Sequence, residues 1–209
     1  MNQGLKFWNK MSSKYASQPI ADEAAYQHKL EETKKYYDKN TSILEIGCAT
    51  GGTAIKHAPN VKHYTAIDYC EPLLNVGIQQ AKQKGIDNIQ FVQTGIDDFE
   101  IKKDQYEMVL ALSVFHLLPN YTEVIQKIYH SLPKDAVLIS STTCLKQQSK
   151  ILQWILPIMT KLGVAPLVMK FSCDELVEQF EKVGFKIEYK WQPHEKAALF
   201  IVAKKVNSV

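Results

Sequence analysis

The stretch SILEIGCATGGTA, Ser42 to Ala54, joins an apolar run to a carboxylate and a cluster of glycines. Gly47, Ala49 and Gly51 follow a strand-like run and open a helical one, so backbone amides at a helix N-terminus face outward with almost no side chain in front of them. Such a loop suits the close approach of a nucleotide or nucleoside. Read through Gly52, the same letters form G-x-A-x-x-G, a dinucleotide fingerprint that is weak by itself. Glu45 and Asp68 separate the possibilities. Glu45 ends the first apolar run, where its carboxylate would repel a pyrophosphate and attract a cation. Asp68 ends the next run, about 20 residues after Gly47, placed to accept hydrogen bonds from both hydroxyls of a ribose. A nucleoside carrying a sulfonium amino acid, S-adenosylmethionine, satisfies these two acids better than NAD does.

These residues need a scaffold. From Ser42 onward, short apolar runs (SILEI, HYTAID, IQFVQ, YEMVLAL, AVLISS, FKIEYKW and ALFIVAKK) alternate with amphipathic segments. The alternation predicts an α/β fold, a Rossmann-like doubly wound sheet of seven strands, mostly parallel. The segments 71–84 and 121–131 have the length that a right-handed crossover helix requires. The last two runs are joined by a few residues around QPHE, too short for a crossover, which predicts an antiparallel C-terminal hairpin. Helix-spaced apolar positions before Ser42 predict two helices, an N-terminal lid over residues 1–40 ahead of a catalytic domain over 41–209. A helical insertion at about 146–171 forms part of a cap over the substrate.

Composition narrows the field. A chain of 209 residues with 45% hydrophobic content fits one globular domain. The net charge of +3 is small and its charges are scattered, so no footprint for nucleic acid stands out. All 25 basic residues are Lys, which removes the bidentate Arg fork that usually grips phosphate. Cys48, Cys70, Cys144 and Cys173 show neither zinc spacing nor a disulfide framework, and a reducing cytoplasm suits them. The N-terminal segment lacks the apolar core of a signal peptide. The most apolar stretch, ILQWILPIMTKLGVAPLVM, is interrupted by Gln153, Lys161, Gly163 and two prolines, which disqualifies it as a membrane-spanning helix. The expectation is a soluble cytoplasmic protein, monomer or homodimer.

Over residues 42–204 the sequence resembles the class I S-adenosylmethionine-dependent methyltransferases, and FWNKMSSKYA, ahead of that core, is similar to their quinone- and small-molecule-methylating branch. LEIGCATGG is similar to their first motif, AIDYCEPLL to the second and IQFVQTGIDDF to the third. YEMVLALSVFHLLPN matches the fourth strand and its loop. The resemblance implies that Glu45, Gly47, Ala49 and Gly51 bound the methionine moiety, that Asp68 holds the ribose, and that Tyr69 packs against the adenine. It implies Ile96 and Asp97 at the purine edge, the former through its backbone amide, and Leu112 at the pocket floor. Two positions depart from the pattern: Ala49 stands at the second motif glycine, and Gly95 where an acid usually ends the third strand.

Methyl transfer from a sulfonium is an in-line displacement on an activated carbon, leaving S-adenosylhomocysteine, so alignment and exclusion of water are the main demands on the enzyme. His116, in SVFHLLPN, is the candidate general base, with packing or helix capping as its other reading. No carboxylate in that loop suggests a metal. Trp8, Tyr15 and Tyr26 are candidates to close the site, Tyr15 beside the methionine end of the cofactor. Ile151, Trp154, Ile155, Ile158, Met159 and Leu162 form a helix-spaced stripe that either lines an acceptor pocket or packs on the sheet. Pro157 and Pro166 would kink or end that helix and shape a lid. The function expected is methylation of a small, partly apolar or aromatic acceptor. Methylation of RNA or protein, and an inactive cofactor-binding partner protein, stand as alternatives.

Overall fold

In the computed structural model, which describes residues 3–206, a single seven-stranded sheet organises the chain. Two helices come first, α1 (Gln3–Ser17) and α2 (Glu23–Lys34), the latter capped by Asp22, whose carboxylate accepts from Ala25 N at 2.9 Å. There follow β1 (Ser42–Ile46), α3 (Gly52–His57), β2 (His63–Asp68), α4 (Glu71–Gln83), β3 (Ile89–Gln93), β4 (Met108–Leu112), α5 (Tyr121–Ser131) and β5 (Val137–Thr142). The chain ends with α6 (Lys150–Lys161), α7 (Cys173–Val183), β6 (Phe185–Trp191) and β7 (Leu199–Lys205). The strand order is β3-β2-β1-β4-β5-β7-β6. Every pairing from β3 to β5 is parallel, while β7 runs antiparallel to both β5 and β6. The doubly wound sheet, the crossover helices and the terminal hairpin thus follow the alternation of the sequence.

The inner strands β1, β2, β4 and β5 lack a polar face because both their faces are covered, whereas the edge strand β6 alternates apolar residues with Lys186, Glu188 and Lys190. Leu44 and Ile46 of β1 pack into a core with Val109, Leu138, Ile125 and Phe180, whereas Ile43 joins Tyr64, Met108, Leu110 and Phe200 on the other side. A parallel strand buried on both faces reads as a continuous apolar run, which is how SILEI reads. On the second face Glu45 is the exception, a carboxylate in an apolar layer.

Three local devices fix the ends of the sheet. Ser172 and Glu175 form a reciprocal capping box that starts α7. The buried Lys205 ammonium donates to Tyr129 O at 2.8 Å and Leu132 O at 2.7 Å, tying β7 to the carbonyl end of α5, where a cation is favoured. Cys144 and Cys173, without paired spacing in the sequence, meet with their sulfurs 2.8 Å apart beneath the start of α7, and all four cysteines are buried free thiols.

The insertion differs from both expectations for its apolar stripe. No residue of α6 is buried, and Trp154 is 79% exposed, so the stripe does not pack on the sheet. Pro157 sits inside α6, which runs on to Lys161 before Gly163 turns the chain at φ +72°. A proline costs one intrahelical bond there without ending the helix. Among the described residues no helix is long and apolar enough to cross a membrane.

Candidate active site

A cavity of about 960 Å³ opens at the carboxyl ends of β1, β2, β3 and β4. The strand order reverses between β1 and β4, and in open α/β sheets that reversal leaves a crevice because successive helices depart to opposite faces. The volume lies at the upper end of the range for small-molecule sites, about 300–1,000 Å³.

The glycine loop forms one wall. Gly47 N and Cys48 N both donate to Ile67 O, at 2.8 and 3.0 Å, which pins the loop to β2. Gly47 lies at φ +69°, and a Cβ there would stand 2.6 Å from Val114 Cγ2, so only glycine fits. Gly51 serves the loop differently. At φ +67° it caps α3 beneath the ring of Phe91, 2.7 Å from where a Cβ would be, and it does not line the cavity. Ala49 also adopts the left-handed conformation, φ +48°, which costs a non-glycine residue about 1–2 kcal/mol. Glycine would lose more chain entropy on folding, so Ala49→Gly is expected to stabilise the protein by about 0.5 kcal/mol. In a chain of this size that is a Tm increase of roughly 1–2 °C by differential scanning calorimetry.

Asp68 closes the loop from the other side. One carboxylate oxygen accepts from Ala49 N at 2.9 Å and the other from Cys70 N at 2.8 Å. Burial raises its pKa, and the amides of Cys70, Ala49 and Tyr69 oppose that rise. These amides leave part of the carboxylate's acceptor capacity open to a ligand. Tyr69, Ile96, Asp97, Leu112 and His116 also line the cavity, as does Tyr15 from α1. Asp97 is exposed, and one of its oxygens accepts from Asn120 Nδ2 at 2.7 Å. Trp8 meets Tyr15 edge-on at 5.7 Å, and both face the cavity, whereas Tyr26 is not among the lining residues.

Glu45 stands apart. It is 3% exposed, does not line the cavity, and its carboxylate accepts from the Tyr64 hydroxyl at 2.9 Å. Burial pushes its pKa up to about 8, with the Tyr64 bond opposing and Asp68 adding to the rise. Its field reaches Tyr15 and Asp68, so it acts on the site from behind the loop.

His116 sits beyond the end of β4 with Nδ1 buried and without a hydrogen-bond partner, and burial lowers its pKa to about 4. It is therefore neutral at pH 7. Of the α6 stripe only Leu162 lines the cavity, together with the chain after it, Gly163 and Ala165 to Val168. Ser113 and Val114, inside the fourth motif, and Thr94, at the end of β3, also line it without having been singled out by residue type, as does Gly95, which the sequence marked only as a departure from the motif. The one signal was position: each follows the carboxyl end of a strand. Ser113 adopts φ +61°, a strained conformation of the kind that collects at functional sites.

The residues that line the cavity fit an adenosyl sulfonium: a bare backbone cradle at Gly47 and the Asp68 carboxylate, which keeps acceptor capacity beyond its amide bonds. A doubly wound sheet with this loop at its reversal point, and an acid ending the second strand, has the construction of a class I S-adenosylmethionine-dependent methyltransferase. The chain belongs to that group: the family model described as a methyltransferase domain matches residues 37–183. S-adenosylmethionine is the cofactor of the family. The chain is 28% identical over 117 residues to a malonyl-[acyl-carrier protein] O-methyltransferase of Bacillus anthracis, covering 54% of this chain and 42% of that protein. It is 23% identical over 97 residues to a demethylmenaquinone methyltransferase of Listeria welshimeri, covering 45% and 41%. The matches thus span about two fifths of the length of these curated relatives. The solved complex of DhpI with S-adenosylhomocysteine shares the fold, with a TM-score of 0.72 at 14% identity over 99% of this chain and 97% of that one.

Proposed function

We propose that this protein transfers the methyl group of S-adenosylmethionine to a small, partly apolar or aromatic acceptor. The observation that carries the reading is the lining of the cavity: one room of about 960 Å³ is bounded by Gly47, Ala49 and Asp68, by His116, and by the apolar Phe7, Leu117, Leu167 and Val168. The relative named for demethylmenaquinone methylation supports an acceptor of this kind.

When bound, the cofactor supplies a methyl carbon already activated by a positive sulfur. The Gly47 and Ala49 backbone would hold its amino-acid end, Asp68 would accept from the ribose hydroxyls, and Tyr69 would pack against the adenine. The Ile96 amide and the free oxygen of Asp97 would meet the purine edge over Leu112. Gly51 supports the loop from beneath. Tyr15 and Trp8 would close over the reacting centre and exclude water, and Phe7, Leu117, Leu167 and Val168 would orient the acceptor. Orientation of this kind contributes on the order of 7–11 kcal/mol to such a displacement. The proposed setting is the cytoplasm.

His116 is the group assigned to receive a proton when the nucleophile carries one. Because it is already neutral, kcat should stay flat between about pH 8 and 5 and fall only as the pH drops towards its pKa of about 4. His116→Asn should lower kcat about 100-fold while S-adenosylhomocysteine affinity is unchanged. The test of the whole reading is calorimetric titration with S-adenosylhomocysteine, followed by a turnover screen of phenols, quinols, carboxylates and thiols. Binding with no turnover of any acceptor would point instead to an inactive cofactor-binding protein.

A further inference from the structure

The apolar stripe of α6 serves neither the core nor, except at Leu162, the cavity. Trp154, Ile151, Leu162 and Ile158 are 79%, 72%, 71% and 61% exposed. Among the described residues, every exposed large hydrophobic except Ile78 lies within segments 1–21 or 136–173. These same two segments contain no Asp or Glu at all. They carry seven lysines: Lys146 pairs with Glu175, while Lys6, Lys10, Lys14, Lys150, Lys161 and Lys170 are all exposed and none is in an ion pair among the described residues. All 22 acids are elsewhere, so the net charge of +3 conceals a cationic, greasy cap on an acidic body. Both halves of the cap reach the cavity, α1 through Leu5, Lys6, Phe7, Trp8 and Lys10 and the end of α6 through Lys161 and Leu162.

We propose that α6 and the loop after it dock on the surface of a bilayer containing anionic lipid, with the cavity mouth at the docked face. An exposed helix with Trp and long aliphatic side chains, flanked by lysines and free of acids, meets both demands of such a surface: apolar burial at the acyl boundary and attraction to the headgroups. A second copy of the chain is a poorer occupant, because it would press two acid-free cationic faces together. Nucleic acid is poorer still, since the exposed residues are mostly aliphatic and offer little for bases to stack on. Docking rests on exposure and charge alone. Delivery of a bilayer-dissolved acceptor through the shared rim rests on the methyl-transfer reading above.

The test mixes the full-length protein with vesicles of phosphatidylcholine alone, or of an equal mixture of phosphatidylcholine and phosphatidylglycerol, and sediments them at about 0.1 M and about 1 M salt. The protein should sediment with the mixed vesicles at low salt and bind at least about tenfold more weakly to phosphatidylcholine or at high salt. Trp154→Glu/Ile158→Glu, at residues that do not line the cavity, should weaken vesicle binding about tenfold with S-adenosylhomocysteine affinity and circular dichroism unchanged. Lys150→Glu/Lys170→Glu should remove most of the salt dependence. Absence of binding to anionic vesicles overturns the docking, as does binding that ignores both pairs of substitutions. So does a dimer, or an RNA complex, that is abolished by the same variants while vesicles are not bound. S-adenosylhomocysteine titrated into the same preparation keeps the two readings apart: retained affinity without vesicle binding removes the docking and leaves methyl transfer standing.

Discussion

Replacing Asp68 with Ala is expected to weaken S-adenosylhomocysteine binding by about 100-fold or more. A hydrogen bond to a charged acceptor contributes about 1.5–3 kcal/mol, and two ribose hydroxyls would lose theirs together. The substitution also strips the acceptor from Ala49 N and Cys70 N, so the loop loses its tie to the start of α4. Asp68→Asn separates these contributions. It keeps one oxygen for an amide but turns an NH₂ toward the other, and about a tenfold loss is expected. Calorimetric titration reads the affinities, and a melting curve on each variant verifies that the fold persists. Unchanged affinity in Asp68→Ala would remove Asp68 from the ribose site.

Glu45 should make both folding and cofactor binding depend on pH. Its carboxyl has a folded pKa of about 8 against an ordinary value of 4.5, so the folded state holds the proton more tightly than the unfolded chain. The associated stability is complete below 4.5 and is lost as the pH rises through 8. His57 and His116, both lowered to about 4 by burial, act in the opposite sense, since stability falls as the pH drops from 6.5 towards 4. Their window closes at 6.5, which leaves 6.5 to 8 to Glu45. Over that span the native protein should lose about 2 kcal/mol relative to Glu45→Gln, measured by urea unfolding at both pH values. The carboxyl also lies within electrostatic reach of the cradle. A bound sulfonium should draw out its proton near pH 7, while the neutral sulfur of S-adenosylhomocysteine should not. Titrations in buffers of different ionisation enthalpy should show release approaching one proton for the former and much less for the latter. Equal release for both would confine Glu45 to its bond with Tyr64.

Much of the fold was legible because its signals are local. The inner strands announce themselves as apolar runs since a parallel sheet covered on both faces leaves little room for polar alternation, and SILEI and HYTAID coincide with β1 and β2, while IQFVQ, which coincides with the edge strand β3, exposes Gln90 and Gln93. The loop at Gly47 was legible because a positive φ and a missing Cβ are demands that residue type records. Asp68 could be found from its place at the end of a run. What residue type could not convey is which face a side chain takes and what covers it. Glu45 and Gly51 sit in the right motif, yet strand alternation turns Glu45 towards Tyr64 and the turn of the loop puts Gly51 under Phe91.

The sequence alone determined the order of the elements, the hairpin at the end of the sheet and the glycine loop that follows β1, because each depends on spacing along the chain. Only the tertiary structure decided that the α6 stripe faces outward, that Cys144 meets Cys173, and that Glu45 is buried against Tyr64. Those outcomes depend on desolvation and on contacts between residues far apart in the chain, and an amphipathic pattern reads the same whether its apolar face meets a core, a ligand or a surface still to be covered.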